Sequence, residues 1–328
     1  MKTEQNLRWH LRVTVLPQCN LRCRYCNPKG IFEKSVTLDD NEIIELVHAA
    51  VANGIIRVHW TGGEPCIRDM TSLISKAKDA GMIEQIMTTN GTLKLEQVGK
   101  MKQSGLDRVN ISLDTLDPFK FKTITGRDGF DSVVGWIKVA CSEFEAPTKM
   151  NVVPMDDNMV EIPELVKFAQ QFGGKLQLKF IELCPNNPAF YERDIYHHMV
   201  DRSEIIEKLE QVGFLSQVSG IGDNPNAEYY LVGNTGVTVI LITMPSQDFK
   251  CGLSRCRKMR VSPYGLVGSC IQQQGVNVKG LSLIEKIKAI KEKMLLRESY
   301  TDDLPASRQH FRNNYGIWRF GSLKDGEK

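Results

Sequence analysis

The 328-residue sequence has no run of apolar residues long enough to cross a bilayer, which excludes a membrane-spanning helix as its organising element. Residues Met1 to His10 lack the continuous apolar core of a secretory leader, so a cytoplasmic protein is expected. Neither sign of charge is in large excess: 42 Lys and Arg against 39 Asp and Glu leave a net charge of +3. That balance gives no reason to expect a nucleic-acid or membrane partner, and no nucleic-acid-reading module is visible. Internal repeats and low-complexity segments are also missing. What remains is an ordinary globular composition, 41% apolar, with enough length for one large domain or a domain plus a smaller lobe.

Cysteine is not scarce, but it is unevenly placed. Cys19, Cys23 and Cys26 lie near the start and Cys251, Cys256 and Cys270 near the end, while Cys66, Cys141 and Cys184 stand singly between them. A reducing compartment disfavours disulfides, so the two groups point to metal or redox chemistry and the isolated three read as small buried apolar residues. The first group is spaced C-x3-C-x2-C on a short loop after an alternating apolar run, where three sulfurs can converge on one inorganic centre. Three thiolates leave one iron of a four-iron cluster without a protein ligand, open to a small molecule. Zinc normally takes four ligands and no fourth is obvious near Cys19, yet on residues alone a zinc site or an oxidised loop stays open. The second group, C-x4-C followed after a thirteen-residue gap by Cys270, lies in a loop–hairpin context. It suits a second cluster with an open iron, a zinc knuckle or free thiols.

Short apolar runs alternate with helical patterns from residue 11 onward. Strands are expected at Leu11–Leu16, Ile56–Trp60, Gln85–Thr89, Arg108–Leu113, Met150–Val153 and Leu176–Ile181. Helices are expected at Asp39–Ala52, Met70–Ala80, Leu95–Ser104, Phe130–Cys141 and Pro163–Phe172, the first opening on Asp39, Asp40 and Glu42 and closing at Gly54. Six such units predict an α/β fold with a parallel sheet, an incomplete (β/α)6 barrel whose ligands gather at the carboxyl ends of the strands. The rhythm changes after residue 183, which divides the chain into a barrel region, 1–183, and a C-terminal region, 184–328. The latter holds a loop at Cys184–Pro188, a helix at Ser203–Val212, a hairpin of Glu228–Val232 with Val237–Thr243, a basic amphipathic helix at Leu283–Leu296 and a frayed tail at Gly321–Lys328.

Four motifs follow strands at that rim: the cysteine loop, Thr61-Gly62-Gly63-Glu64-Pro65, Thr88-Thr89-Asn90-Gly91 and Ser112-Leu113-Asp114. Gly62 and Gly63 let backbone approach a ligand closely, although a tight turn after a strand reads the same way. Thr88, Asn90 and Ser112 offer short hydroxyl and amide groups suited to a carboxylate and a ribose.

With Tyr25 just before its last cysteine, the C-x3-C-x2-C loop resembles that of the radical S-adenosylmethionine (AdoMet) enzymes. The resemblance implies a [4Fe-4S] cluster on Cys19, Cys23 and Cys26 whose open iron chelates AdoMet, with reductive cleavage giving a 5′-deoxyadenosyl radical. It further implies AdoMet contacts from Tyr25, Gly62, Gly63, Glu64, Thr88, Asn90 and Ser112, and a reductase or flavodoxin-type electron donor. A homodimer is compatible with it. Asn110-Ile-Ser-Leu-Asp114-Thr-Leu-Asp117, Ile124-Thr-Gly126-Arg127, Lys149-Met-Asn151-Val-Val153, Phe180-Ile-Glu182-Leu183 and Cys256-x-x-x-Arg260-Val-Ser narrow the resemblance to the GTP 3′,8-cyclase branch, which opens molybdenum-cofactor synthesis.

In that branch a second [4Fe-4S] cluster, here on Cys251, Cys256 and Cys270, ligates the guanine, and basic residues clamp the triphosphate. The matching positions are Arg12, Arg57, Thr61, Lys149, Lys179, Lys258 and Arg260. Several positions depart from the branch. The second group opens C-x4-C where the branch has C-x2-C, and the branch's terminal Gly-Gly does not appear. His59, Lys179 and Lys258 stand where the branch has arginine, and lysine lacks arginine's bidentate fork. The sequence therefore supports two substrates for one chemistry: a GTP-like nucleotide, or another nucleoside or sugar of a specialised, natural-product pathway.

Overall fold

The computed structural model describes residues 9–26, 36–183, 198–219, 226–242, 256–269 and 275–298. Its first strand, β1 (His10–Thr14), alternates half-buried polar residues with buried apolar ones, and β2 (Arg57–Thr61) does the same. Such alternation builds a sheet with two unlike faces. Leu11, Val13, Val58 and Trp60 join the main apolar core, leaving Arg12, His59 and Thr61 on the opposite, inner face. β3 (Glu84–Thr89), β4 (Arg108–Ser112), β5 (Thr148–Val152) and β6 (Leu176–Ile181) follow in parallel, each hydrogen-bonded to the one before. The registers place Arg12 beside His59, Asn110 beside Lys149, and Asn151 beside Lys179. The expected α/β fold is present, and all six barrel strands occur within two residues of their expected ends.

Helices fill the crossovers. α1 (Asp40–Ala52) begins in a capping box: Glu42 N donates to Asp39 Oδ1 at 2.8 Å and Asp39 N to Glu42 Oε2 at 2.9 Å. Ile43, Leu46, Val47 and Ala50 form its buried stripe, and Leu46→Ala there would remove about 2–5 kcal/mol. α2 (Met70–Asp79), α3 (Gln97–Ser104), α5 (Phe130–Glu143) and α6 (Ile162–Gln170) were all legible from periodicity. α4 (Pro118–Thr125) was not. Its signal is short but real, since Asp117 accepts from Phe119 N at 2.7 Å and Pro118 occupies the first turn.

Beyond residue 183 the chain extends the same sheet at both edges. α7 (Arg202–Glu210) leads into β7 (Leu215–Gln217), β8 (Ala227–Val232) and β9 (Val237–Ile242), an antiparallel set whose last strand pairs parallel with β6. The expected hairpin is therefore present. β10 (Lys258–Val261) pairs parallel with β1, setting Arg260 beside Arg12, and β11 (Leu266–Gly268) and β12 (Val276–Asn277) fold back antiparallel. α8 (Leu283–Glu298) packs on α1, with Lys286 paired to Glu45 and Asn53 Nδ2 donating to Ile287 O at 2.9 Å.

Among the described residues the strand order is β12-β11-β10-β1-β2-β3-β4-β5-β6-β9-β8-β7. The eight central strands are parallel, and Arg12, His59, Asn110, Lys149, Asn151 and Lys179 lie side by side on their polar face, called the lumen below. Cys66 and Cys141 are buried, 3% and 7% exposed, as isolated cysteines were expected to be. Cys184 with its loop, Cys251, Cys270 and the tail lie outside the described residues. No described helix is long and apolar enough to cross a membrane.

Candidate active site

The cysteine loop leaves the rim where β1 ends, and it is pinned from both sides. On one side Gly63 N donates to Leu16 O at 2.9 Å and Glu64 N to Gln18 O at 2.8 Å. The approach is so close that a Cβ at Gly63 would stand 2.0 Å from the Gln18 carbonyl oxygen. The bare backbone at Gly63 thus serves contact with the cysteine loop itself. On the other side Arg22 N and Arg24 N donate to Thr125 O and Ile124 O at the end of α4, at 2.7 and 2.9 Å. Gly126 closes that helix at φ +69°, a conformation other residues resist.

Glu64 is 1% exposed, and its carboxylate ties neighbouring loops together. It accepts from Thr89 Oγ1 at 2.6 Å, Asn90 N at 2.6 Å and Cys66 N at 3.0 Å. Burial pushes its carboxyl above the usual range while those hydrogen bonds pull it back. Asn90 continues the web, donating from Nδ2 to Asn20 Oδ1 at 2.9 Å and reaching Cys19 Sγ at 3.7 Å.

Between Cys23 and Cys26 the loop is held by its own side chains. Tyr25 donates its phenol to Asp114 Oδ2 at 2.7 Å, and Asp114 Oδ1 accepts from Val153 N at 2.8 Å. Asn158 Nδ2 donates to the Asp114 carbonyl at 2.9 Å, and Arg24 pairs with Asp157 at 2.6 Å. Tyr25 also packs on a small apolar cluster of Ile124, Met155 and Leu183. Burial moves the Asp114 carboxyl up to about 6.

Cys19 and Cys23 are half-buried and Cys26 is exposed. Burial raises the Cys19 thiol and raises Cys23 much further, where Asp114 and the two neighbouring sulfurs add to the effect. Such thiols hold their protons until a metal displaces them. Among the described residues no three His, Cys, Asp or Glu side chains surround a single-ion site. A cluster asks for wider spacing than one ion, because each iron takes one thiolate. Three thiols on a braced loop fit that donor set.

Below the rim the lumen is cationic. Arg12 is brought down to about 10 by burial and by Arg260, and remains charged at neutral pH. Burial lowers Lys149 to about 8, with Arg108 adding to the effect. Lys179 falls to about 7 through burial and the charges of Lys149, Arg12, Lys258 and Arg108. His59, whose Nε2 lies 2.7 Å from Thr88 Oγ1, is driven well below its usual value by burial and then by Arg12, Lys179, His10 and Lys258. Arg57 differs from the other expected substrate contacts. It is paired with Glu84, which also meets Arg108 at 3.5 Å, and all three begin their strands at the end opposite the rim. Lys258 and Arg260 enter on β10, while Thr61 and Ser112 are half-buried at the upper ends of β2 and β4.

Two residues not singled out by sequence reasoning belong here. Asn110 and Asn151 are 4% and 8% exposed, yet their Oδ1 atoms have no hydrogen-bond partner. Buried amide oxygens left open in this way suit a donor-bearing ligand. A polar residue in the middle of an apolar strand was the available signal. Of the second cysteine group only Cys256 is described. It is half-buried and lies two residues ahead of β10, at the strand-start end of the lumen. Cys256 and the cysteine loop thus lie toward opposite ends of the paired strands β1 and β10.

Comparison with known proteins agrees with this arrangement. The radical SAM superfamily matches residues 13–169. A probable GTP 3′,8-cyclase of Methanococcus maripaludis (strain C6) is 31% identical over 266 residues, covering 79% of this chain and 84% of its own. The GTP 3′,8-cyclase of Petrotoga mobilis is 33% identical over 320 residues, 93% of this chain and 94% of its own. Among solved structures, anSMEcpe with bound AdoMet and a Kp18Cys peptide superposes with a TM-score of 0.60 at 13% identity, covering 97% of this chain and 91% of that one. At that identity the likeness speaks to the fold.

Proposed function

Because the chain belongs to the GTP 3′,8-cyclase family of radical SAM enzymes, we propose that it takes a hydrogen atom from the sugar of a nucleotide, with GTP the leading candidate. Cys19, Cys23 and Cys26 would hold the family's [4Fe-4S] cluster with AdoMet beside it, and together these supply, when bound, reductive cleavage and an organic radical. The chain's own residues do the rest. Gly62, Gly63 and Glu64 shape the cofactor end, with Glu64 acting through its hold on Thr89 and Asn90. Thr88, Asn90 and Ser112 line the approach from that end to the lumen.

The observation that carries the reading is the lumen. Arg12, Lys149, Lys179, Lys258 and Arg260 converge below the cysteine loop, and the nearby carboxylate Glu84 is already held by two arginines. A face this rich in buried cations calls for a polyanion. Asn110 and Asn151 offer acceptors to hydroxyl or amino groups on the same ligand. Cys256, with Cys251 and Cys270, would hold a second [4Fe-4S] cluster at the far end, able to bind the base. A reductase or flavodoxin-type protein would supply the electron.

Oxygen-free protein incubated with AdoMet, dithionite and GTP tests the proposal by yielding 5′-deoxyadenosine together with a cyclised guanine product. Iron should number about eight per chain and fall to about four in Cys251→Ala. A second reading, another nucleoside or sugar as substrate, rests on the softer cations His59, Lys179 and Lys258. It predicts 5′-deoxyadenosine formation that GTP does not stimulate.

A further inference from the structure

His59 occupies a position where a permanent charge would be the simpler choice. From β1 it faces His10 and Arg12, from β6 Lys179, and from β10 Lys258, all of them cations or potential cations. Its own strand adds Arg57, and β3 presents Glu84, but those two are bound to each other and Glu84 to Arg108 as well. β3 also presents Thr88, whose Oγ1 lies 2.7 Å from His59 Nε2 and 3.4 Å from Asn110 Nδ2. Arg260 stands beside Arg12 one strand away.

Resting on the reading of the lumen as a polyanion site, we propose that His59 is its specificity-determining residue: it takes up a proton only when a ligand of high negative charge enters. In the empty lumen burial first, and then the surrounding cations, keep the imidazole neutral. Lys179, at about 7 through burial and the same positive field, has largely given up its proton at pH 7.5 and is the second group that a polyanion would protonate. A triphosphate reverses that field, because three or more negative charges placed among Arg12, Lys179 and Arg260 favour the imidazolium. The proton comes from solvent, and no bond to carbon or phosphorus changes.

An arginine at this position would attract any anion at any ordinary pH, since its charge does not depend on the ligand. An imidazole responds only to a ligand whose charge is dense enough to bring the proton in. The site therefore separates triphosphate from monophosphate or free nucleoside more sharply than fixed charges would. Once protonated, Nε2 can only donate, so Thr88 Oγ1 becomes its acceptor and the Thr88 proton must turn to another partner. The charge state of the lumen is in that way communicated to a residue at the cofactor end.

The test is calorimetric titration of oxygen-free, cluster-loaded protein with GTP, GMP and inorganic tripolyphosphate, in buffers of different ionisation enthalpy at pH 7.5. Wild type should take up roughly one to two protons with GTP or tripolyphosphate, shared between His59 and Lys179, and clearly less with GMP. Its Kd should weaken by up to about tenfold per pH unit for each proton taken up, toward pH 8.5. His59→Arg and His59→Gln should both lose the His59 share, about one proton, the first binding tightly at pH 8.5 and the second weakly. Lys179→Arg should lose only the Lys179 share, and in that background either His59 substitution should remove most of the uptake that is left. Ionisation of the ligand itself is common to wild type and variants and cancels in the comparison.

Tripolyphosphate uptake through His59 without GTP binding would support this inference while overturning the nucleotide reading. Binding without proton uptake overturns the inference. So does uptake that neither His59 substitution reduces, or failure of both triphosphates to bind.

Discussion

The rim and the lumen of this sheet solve opposite problems. At the rim most of the polar groups that shape the cysteine loop are matched within the protein: Glu64 has three donors, Asp114 has Tyr25 and Val153, and Arg24 has Asp157, whose Oδ1 stays open. In the lumen, one strand-length below, Asn110 and Asn151 keep open acceptors and several cations depress one another. The finished network gives a loop that is shaped before its cofactor arrives. The unfinished one is held at a cost by the surrounding core and is completed only by a ligand. Rim substitutions should therefore lower stability and cofactor retention, whereas lumen substitutions should change ligand affinity and leave stability equal or higher.

The largest effect expected is at the rim ligands. Cys23→Ala should remove about four irons and abolish AdoMet cleavage, read by iron and sulfide analysis with paramagnetic resonance. Gly63→Ala comes next, because its methyl cannot fit 2.0 Å from the Gln18 carbonyl without moving the cysteine loop. It should lower stability by about 1–3 kcal/mol in denaturant melts and reduce cluster retention. A variant that melts like wild type and keeps all its iron would undo the account of the loop contact.

Asp114→Ala strands the Tyr25 hydroxyl and the Val153 N–H, at about 1–3 kcal/mol each. Asp114→Asn should be milder and pH-dependent. The Asp114 carboxyl titrates at about 6 in the folded protein, above its ordinary 3.8. Ionising it therefore costs stability above about pH 6, and the cost disappears as pH falls toward 4. In metal-free protein Asp114→Asn should gain on wild type at pH 8 relative to pH 5. A stability gap that does not change with pH would contradict the buried-acid description.

The smallest stability change belongs to the lumen. Lys149→Met should leave the melting point unchanged or raise it, since burial already disfavours the ammonium. The same variant should raise the Kd for GTP about tenfold or more, because a charge contact to phosphate is lost. A clear drop in melting temperature without loss of affinity would erase the contrast between rim and lumen.

Much of the architecture was readable from residue order. Alternation in His10–Thr14 and Arg57–Thr61, caps such as Asp39 with Glu42, and breakers such as Gly54 act over a few residues, where local physics dominates. The cysteine spacing named the chemistry, because it is a covalent requirement of the cofactor and not a product of packing. α4 escaped because eight residues give too little period to detect. β10 escaped because four residues form a strand only when β1 is there to pair with them.

The sequence by itself determined the six parallel units, the cysteine loop and the inventory of basic residues. Tertiary structure alone decided which charges are available. Arg57 and Arg12 are the same residue type, yet Arg57 meets Glu84 at the foot of the neighbouring strand while Arg12 meets Arg260 across β10. It likewise turned Gly63 into a contact point for Gln18 and placed His59 among cations from three strands. Electrostatic partners come from strand register and burial, which join residues tens to hundreds of positions apart, and no local pattern in the chain records them.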